Sequence, residues 1–126
     1  MLSLETMLLA RYAEVLPDGT ITAIGAGVSA LVRPPEMDLQ LFVVATLLAD
    51  GPPGISQHRL YCKMRSPQGE TVLELSLDVT VEGGARRRLP LVFPVPVTQA
   101  MHPGEWSIEL SGPEELKVVL LEVGTA

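Results

Sequence analysis

Gly25-Ala26-Gly27-Val28-Ser29-Ala30 follows the apolar run Ile21 to Ile24 and has the Gly-x-Gly-x-x-Ala spacing of a dinucleotide-binding turn. Such a turn works by opening a helix whose N-terminus receives a pyrophosphate. Only Val28 to Arg33 remain before Pro34-Pro35, too few for that helix, so the segment reads as a glycine bend or bulge in a long strand. Nucleophilic hydrolysis needs Ser or Cys, His and an acid. The chain holds only His58 and His102 and no Gly-x-Ser-x-Gly elbow. His102 stands before Pro103-Gly104 as a solvated turn residue, and His58 opens a strand as an edge residue. Two histidines and one cysteine serve zinc poorly.

Calcium needs several converging oxygens, and Asp18, Asp38 and Asp50 are scattered, unlike the dense Asp loops of membrane-binding C2 domains. Glu114-Glu115 sits in a turn and reads as solubilising charge. Sugar binding favours flat aromatic platforms, but aromatics are 4% of residues. Trp106 shares parity with Ile108 and Leu110, as a core residue near the end of a sandwich would. Tyr61 shares the outer parity of Arg59, Lys63 and Arg65 and is the best exposed aromatic contact. The expectation is a non-enzyme with no cofactor and no metal. Asp18, Asp50 and His102 remain as loop residues that could meet a small molecule or carbohydrate at one end of the fold.

The elements that would position these groups are strands. Turn signals recur from Pro17-Asp18-Gly19 to Ser111-Gly112-Pro113, leaving strands near 5–16, 20–33, 38–49, 57–66, 71–82, 87–98, 105–111 and 116–123. None has a helical period. The expected fold is one all-β domain over 1–126, an antiparallel sandwich of about eight strands with immunoglobulin-like or C2-like connections.

In 87–98, Leu89, Leu91, Phe93, Val95 and Val97 alternate with Pro90, Pro94 and Pro96. Prolines of one parity remove N–H donors from one side of the strand, so this strand is expected at a sheet edge that accepts no further strand. Pairing around Gln68-Gly69 sets Met64 opposite Leu73, Cys62 opposite Leu75 and Leu60 opposite Leu77 on the inner face. The same register sets Lys63 against Glu74 and Arg59 against Asp78 outside, so core and charge agree. Cys62 therefore reads as a buried small hydrophobe, and as the sole cysteine it excludes an internal disulfide and fits a reducing compartment.

Leu39 to Ala49 and Leu116 to Val123 are apolar on both faces. With Leu39, Leu41, Val43 and Leu47 inward, Phe42, Val44 and Leu48 point out. Outward apolar residues mark an interaction surface or cover by another part of the chain. A homo-oligomer through Phe42, Val44 and Leu48 is the expectation. The net charge of −6 opposes a nucleic-acid partner, and Arg86-Arg87-Arg88 after Gly83-Gly84 reads as a solvated strand entrance. Hydrophobic residues reach 47%, yet Glu5 interrupts the apolar start and no run is long enough for a membrane helix. A cytoplasmic location without membrane contact is expected.

Leu8-Leu9-Ala10-Arg11-Tyr12-Ala13-Glu14-Val15, Asp18-Gly19-Thr20-Ile21 and Ile24-Gly25-Ala26-Gly27 resemble the opening hairpin of a family of small uncharacterised bacterial proteins. Pro103-Gly104-Glu105-Trp106-Ser107-Ile108 resembles the entry to that family's terminal hairpin. The resemblance implies a β-sandwich of unknown function and brings no catalytic residue.

Overall fold

The computed structural model describes residues 2–33, 39–98, 101–112 and 115–125. They form strands β1 (Leu2–Ala10), β2 (Tyr12–Val15), β3 (Ile21–Ile24), β4 (Ala30–Arg33), β5 (Leu39–Ala49), β6 (Ile55–Arg65), β7 (Thr71–Glu82), β8 (Arg87–Val97), β9 (Gly104–Ser111) and β10 (Leu116–Thr125). One sheet has the order β1-β5-β8 and a second the order β4-β10-β9-β6-β7, while β2-β3 forms a separate hairpin. The chain crosses between the two larger sheets from β4 to β5, from β5 to β6, from β7 to β8 and from β8 to β9, as in a β-sandwich. Leu41, Val43 and Leu47 of the first sheet share one core with Leu60, Cys62 and Ile108 of the second.

The expected hairpin register is observed. Met64, Cys62 and Leu60 face Leu73, Leu75 and Leu77, with Lys63 opposite Glu74 and Arg59 opposite Asp78. Arg59 and Asp78 lie 3.0 Å apart and Lys63 and Glu74 3.8 Å apart, both pairs solvent-exposed. Such pairs are worth about 0.2–1 kcal/mol each, so they refine a register that the buried side sets. The proline strand β8 is a sheet edge, with Pro90, Pro94 and Pro96 opposite Thr46, Phe42 and Gln40 of β5. A residue without N–H fits only the non-hydrogen-bonded pairs, so all three rings stand where the free edge would otherwise present donors.

Three expectations change. The segments 5–16 and 20–33 are each two strands, giving ten among the described residues in place of eight. Arg11 breaks the first, its N–H turning to Ile24 O at 3.0 Å. The second breaks at Gly25 (φ 63°) and Gly27 (φ 86°), backbone conformations that favour glycine. There the N–H groups of Gly27 and Val28 both donate to Leu9 O, at 2.8 and 3.0 Å. The glycine motif is thus a bend that ties the chain back to β1. The sandwich is also not wholly antiparallel, because β4 runs parallel to the end of β10.

Candidate interaction surface

Parity along β10 divides its side chains. Leu121 and Val123 point into the core and are 1% exposed, whereas Leu116, Val118 and Leu120 point outward and are 56%, 46% and 51% exposed. Gly112 N–H donates to Glu115 O at 2.9 Å, closing the β9–β10 hairpin, and Glu122 N–H donates to Ser29 O on the other side at 2.9 Å. Alternation then turns the backbone polar groups of Leu116, Val118 and Leu120 away from β9. β4 pairs with β10 only alongside Glu122 to Thr125. The result is an aliphatic row continued by exposed Val32 opposite Gly124. Its polar rim includes Ser107, Glu109 and Ser111 of β9, with Arg65 Nε 3.2 Å from Glu109 Oε1. Tyr61 lies beyond Ser111 on the same sheet and is exposed.

The other two-faced strand is better shielded. Phe42, Val44 and Leu48 are half-buried, being in the central strand between β1 and β8. Phe42 has Ala10 and Pro94 beside it, and the Tyr12 ring from β2 meets its edge at a centroid distance of 5.4 Å and 66°. The N-terminal segment therefore covers part of the surface that sequence parity leaves open.

The loop residues do not assemble into one site. Asp50 follows Ala49 at one end of β5, while Val97, which leads to His102, stands opposite Leu39 at the other. Ten strand steps separate those ends by about 33 Å. Asp18 occupies the β2–β3 turn, where its Oδ1 accepts from Thr20 Oγ1 at 2.6 Å and Thr20 N–H at 3.0 Å. Those hydrogen bonds hold its carboxyl below the ordinary range, which marks a turn former. His102 is exposed, and its carbonyl accepts from Trp106 Nε1 at 2.8 Å, so Trp106 is the core residue its parity implies. Glu115 departs from its expected role: its Oε2 accepts from Leu4 N–H at 2.6 Å, just before the irregularity in β1. Asp38 and Glu114 lie outside the described residues. Of the Arg86–Arg88 cluster, Arg88 Nε reaches both oxygens of Glu5, at 3.1 and 2.9 Å.

A cleft of about 320 Å³ at the β5–β6 loop holds Asp50, Ser56 and His58, with Ser56 Oγ 3.0 Å from His58 Nε2. Sequence reasoning passed over that Ser–His pair, although two-residue spacing puts both on one face of β6. A hydroxyl beside an imidazole is one component of acyl transfer, which also requires donors for an oxyanion. The Gly83 and Gly84 N–H groups at this loop instead donate to Gly54 O and Gly51 O, at 2.7 and 3.1 Å. Among the described residues no His, Cys, Asp and Glu grouping suits a metal ion, and no helix is long and apolar enough to cross a membrane.

Compared with known proteins, the chain matches no family model and no curated relative.

Cys62 is fully buried, and desolvation pushes its thiol from 9.0 up to about 11. In the unfolded chain it ionises first, so its contribution is complete below pH 9 and declines as pH rises toward 11, by about 1.4 kcal/mol per unit. Urea midpoints across that range are expected to fall more steeply for the parent chain than for Cys62→Ala. Equal slopes would remove the thiol as the cause.

Proposed function

We propose that this chain is a non-enzymatic assembly module that self-associates through the apolar outer face of its five-stranded sheet. The exposed row Leu116, Val118 and Leu120 carries this reading. Burying the remaining half of each side chain contributes about 1 kcal/mol per residue. With a net charge of −6, two copies repel at long range, so association strengthens as salt is added.

Light scattering on a size-exclusion column over a hundredfold concentration range tests the reading. Val118→Asp is expected to weaken association at least tenfold (~1.4 kcal/mol) while leaving the fold intact. Phe42→Asp should instead destabilise the chain, because Phe42 packs against Tyr12. Dissociation by Phe42→Asp with Val118→Asp inert would move the interface to β5, and a monomer at every concentration would end the reading.

A further inference from the structure

The two strands that border one side of the sandwich have opposite edge chemistry. β8 carries Pro90, Pro94 and Pro96 on its outer side and offers few donors. β7 is the other sheet's edge, twelve residues without a proline, and among the described residues pairs only with β6. Gly83 N–H points to β6, donating to Gly54 O at 2.7 Å. By alternation Leu73, Leu75, Leu77, Val79 and Val81 also bond toward β6, and Glu74, Ser76, Asp78, Thr80 and Glu82 direct their backbone groups to the open side.

Side chains at this edge are incompletely covered. Leu73, Leu75, Leu77 and Val79 face the core yet are only partly buried, as are Leu89 and Leu91 of β8. At one end of the strip a cavity of about 220 Å³ is bounded by Met64, Leu73, Pro96, Met101 and Trp106. One further strand beside β7 would cover the strip and place an aliphatic side chain at that cavity. On the outer face the same strand would meet Glu74, Asp78 and Glu82. Glu74 and Asp78 have their cations, Lys63 and Arg59, on the β6 side, and their own side chains remain 59% and 70% exposed.

We propose that the free edge of β7 docks an extended segment of another protein, with aliphatic side chains on one face and Lys or Arg on the other. Strand addition of this kind draws affinity from main-chain hydrogen bonds and selectivity from alternate side chains. A second copy fits poorly, because β7 contains no basic residue and self-pairing sets three acids of one copy beside three of the other, with Lys63 and Arg59 set back on β6.

A labelled peptide of about nine alternating Val and Lys residues, followed by fluorescence anisotropy, tests this. It is expected to bind more tightly than a Val–Glu peptide, and to weaken as salt is added, opposite to the self-association above. Ser76→Pro removes an edge donor outside the β6 ladder and is expected to reduce affinity at least tenfold. If that variant fails to fold, the double variant Glu74→Lys with Asp78→Lys decides, by reversing the preference toward Val–Glu. Absence of binding, equal binding of both peptides, or full affinity in a folded Ser76→Pro chain would overturn the proposal. So would Ser76→Pro lowering the mass of the protein measured alone, which would identify the occupant as a second copy.

Discussion

Trp106→Ala is expected to cost about 3–5 kcal/mol, lowering the thermal midpoint by roughly 10–20 °C. Trp106 is 3% exposed, pairs with Leu121 across β9 and β10, and borders the cavity shared with Met64 and Pro96. Removing the indole enlarges an existing void, and the strands around it are held by their ladders and cannot close in fully. Trp106→Phe separates the contributions: most of the apolar volume stays, and only the Nε1–H bond to His102 O is lost, at about 1 kcal/mol. Chemical denaturation of the three proteins checks the ranking. An alanine variant within 1 kcal/mol of the parent would show that the β8–β9 end of the sandwich collapses around the void.

Gly83→Ala is the second large effect, expected near 3 kcal/mol. The cause is space, since a methyl group there would collide with the Pro52 carbonyl oxygen. That oxygen is backbone in a loop tied down by the Gly83 and Gly84 hydrogen bonds to Gly54 and Gly51, so it cannot step aside without breaking them. Gly19→Ala is the comparison. Its φ of 83° strains any side chain, but nothing lies within 4 Å, and the expected cost is only about 1 kcal/mol. Equal urea midpoints for the two variants would mean that the Asp50–Gly54 loop is loosely held.

Much of the fold is legible along the chain because it depends on period-two alternation. The β6–β7 register could be read since a one-residue slip would expose Leu60, Cys62 and Met64 and also mismatch Arg59 and Lys63 with their acids. The position of β8 could be read because proline lacks a donor wherever it stands. The break at Gly25–Gly27 was harder. Its glycines signal a bend, but the Leu9 carbonyl that receives the Gly27 and Val28 N–H groups lies on another strand. The parallel pairing of β4 with β10 follows from that bend and leaves no trace in the four residues of β4.

The candidate surfaces show the same division. Parity groups Phe42 with Val44, and Val118 with Leu120 opposite Val119 and Leu121, but in strands apolar on both faces it does not say which group turns inward. It also determines which of Asp78, Glu74 and Tyr61 share an outer face. Whether an outward residue meets water depends on what is stacked above it, a property of distant chain segments. The β2 hairpin brings Tyr12 onto Phe42, while Leu116, Val118 and Leu120 stay open. Likewise Asp50 and His102 read as equivalent loop residues, but the length of β5 puts them at opposite ends. Alternation and proline chemistry are local, so the sequence alone determined the strands from β5 onward, one hairpin register and the blocked edge, but not the breaks at Arg11 and at Gly25–Gly27. Coverage, strand order and the distance between loops are sums over the whole packed chain, and only the tertiary structure decided them.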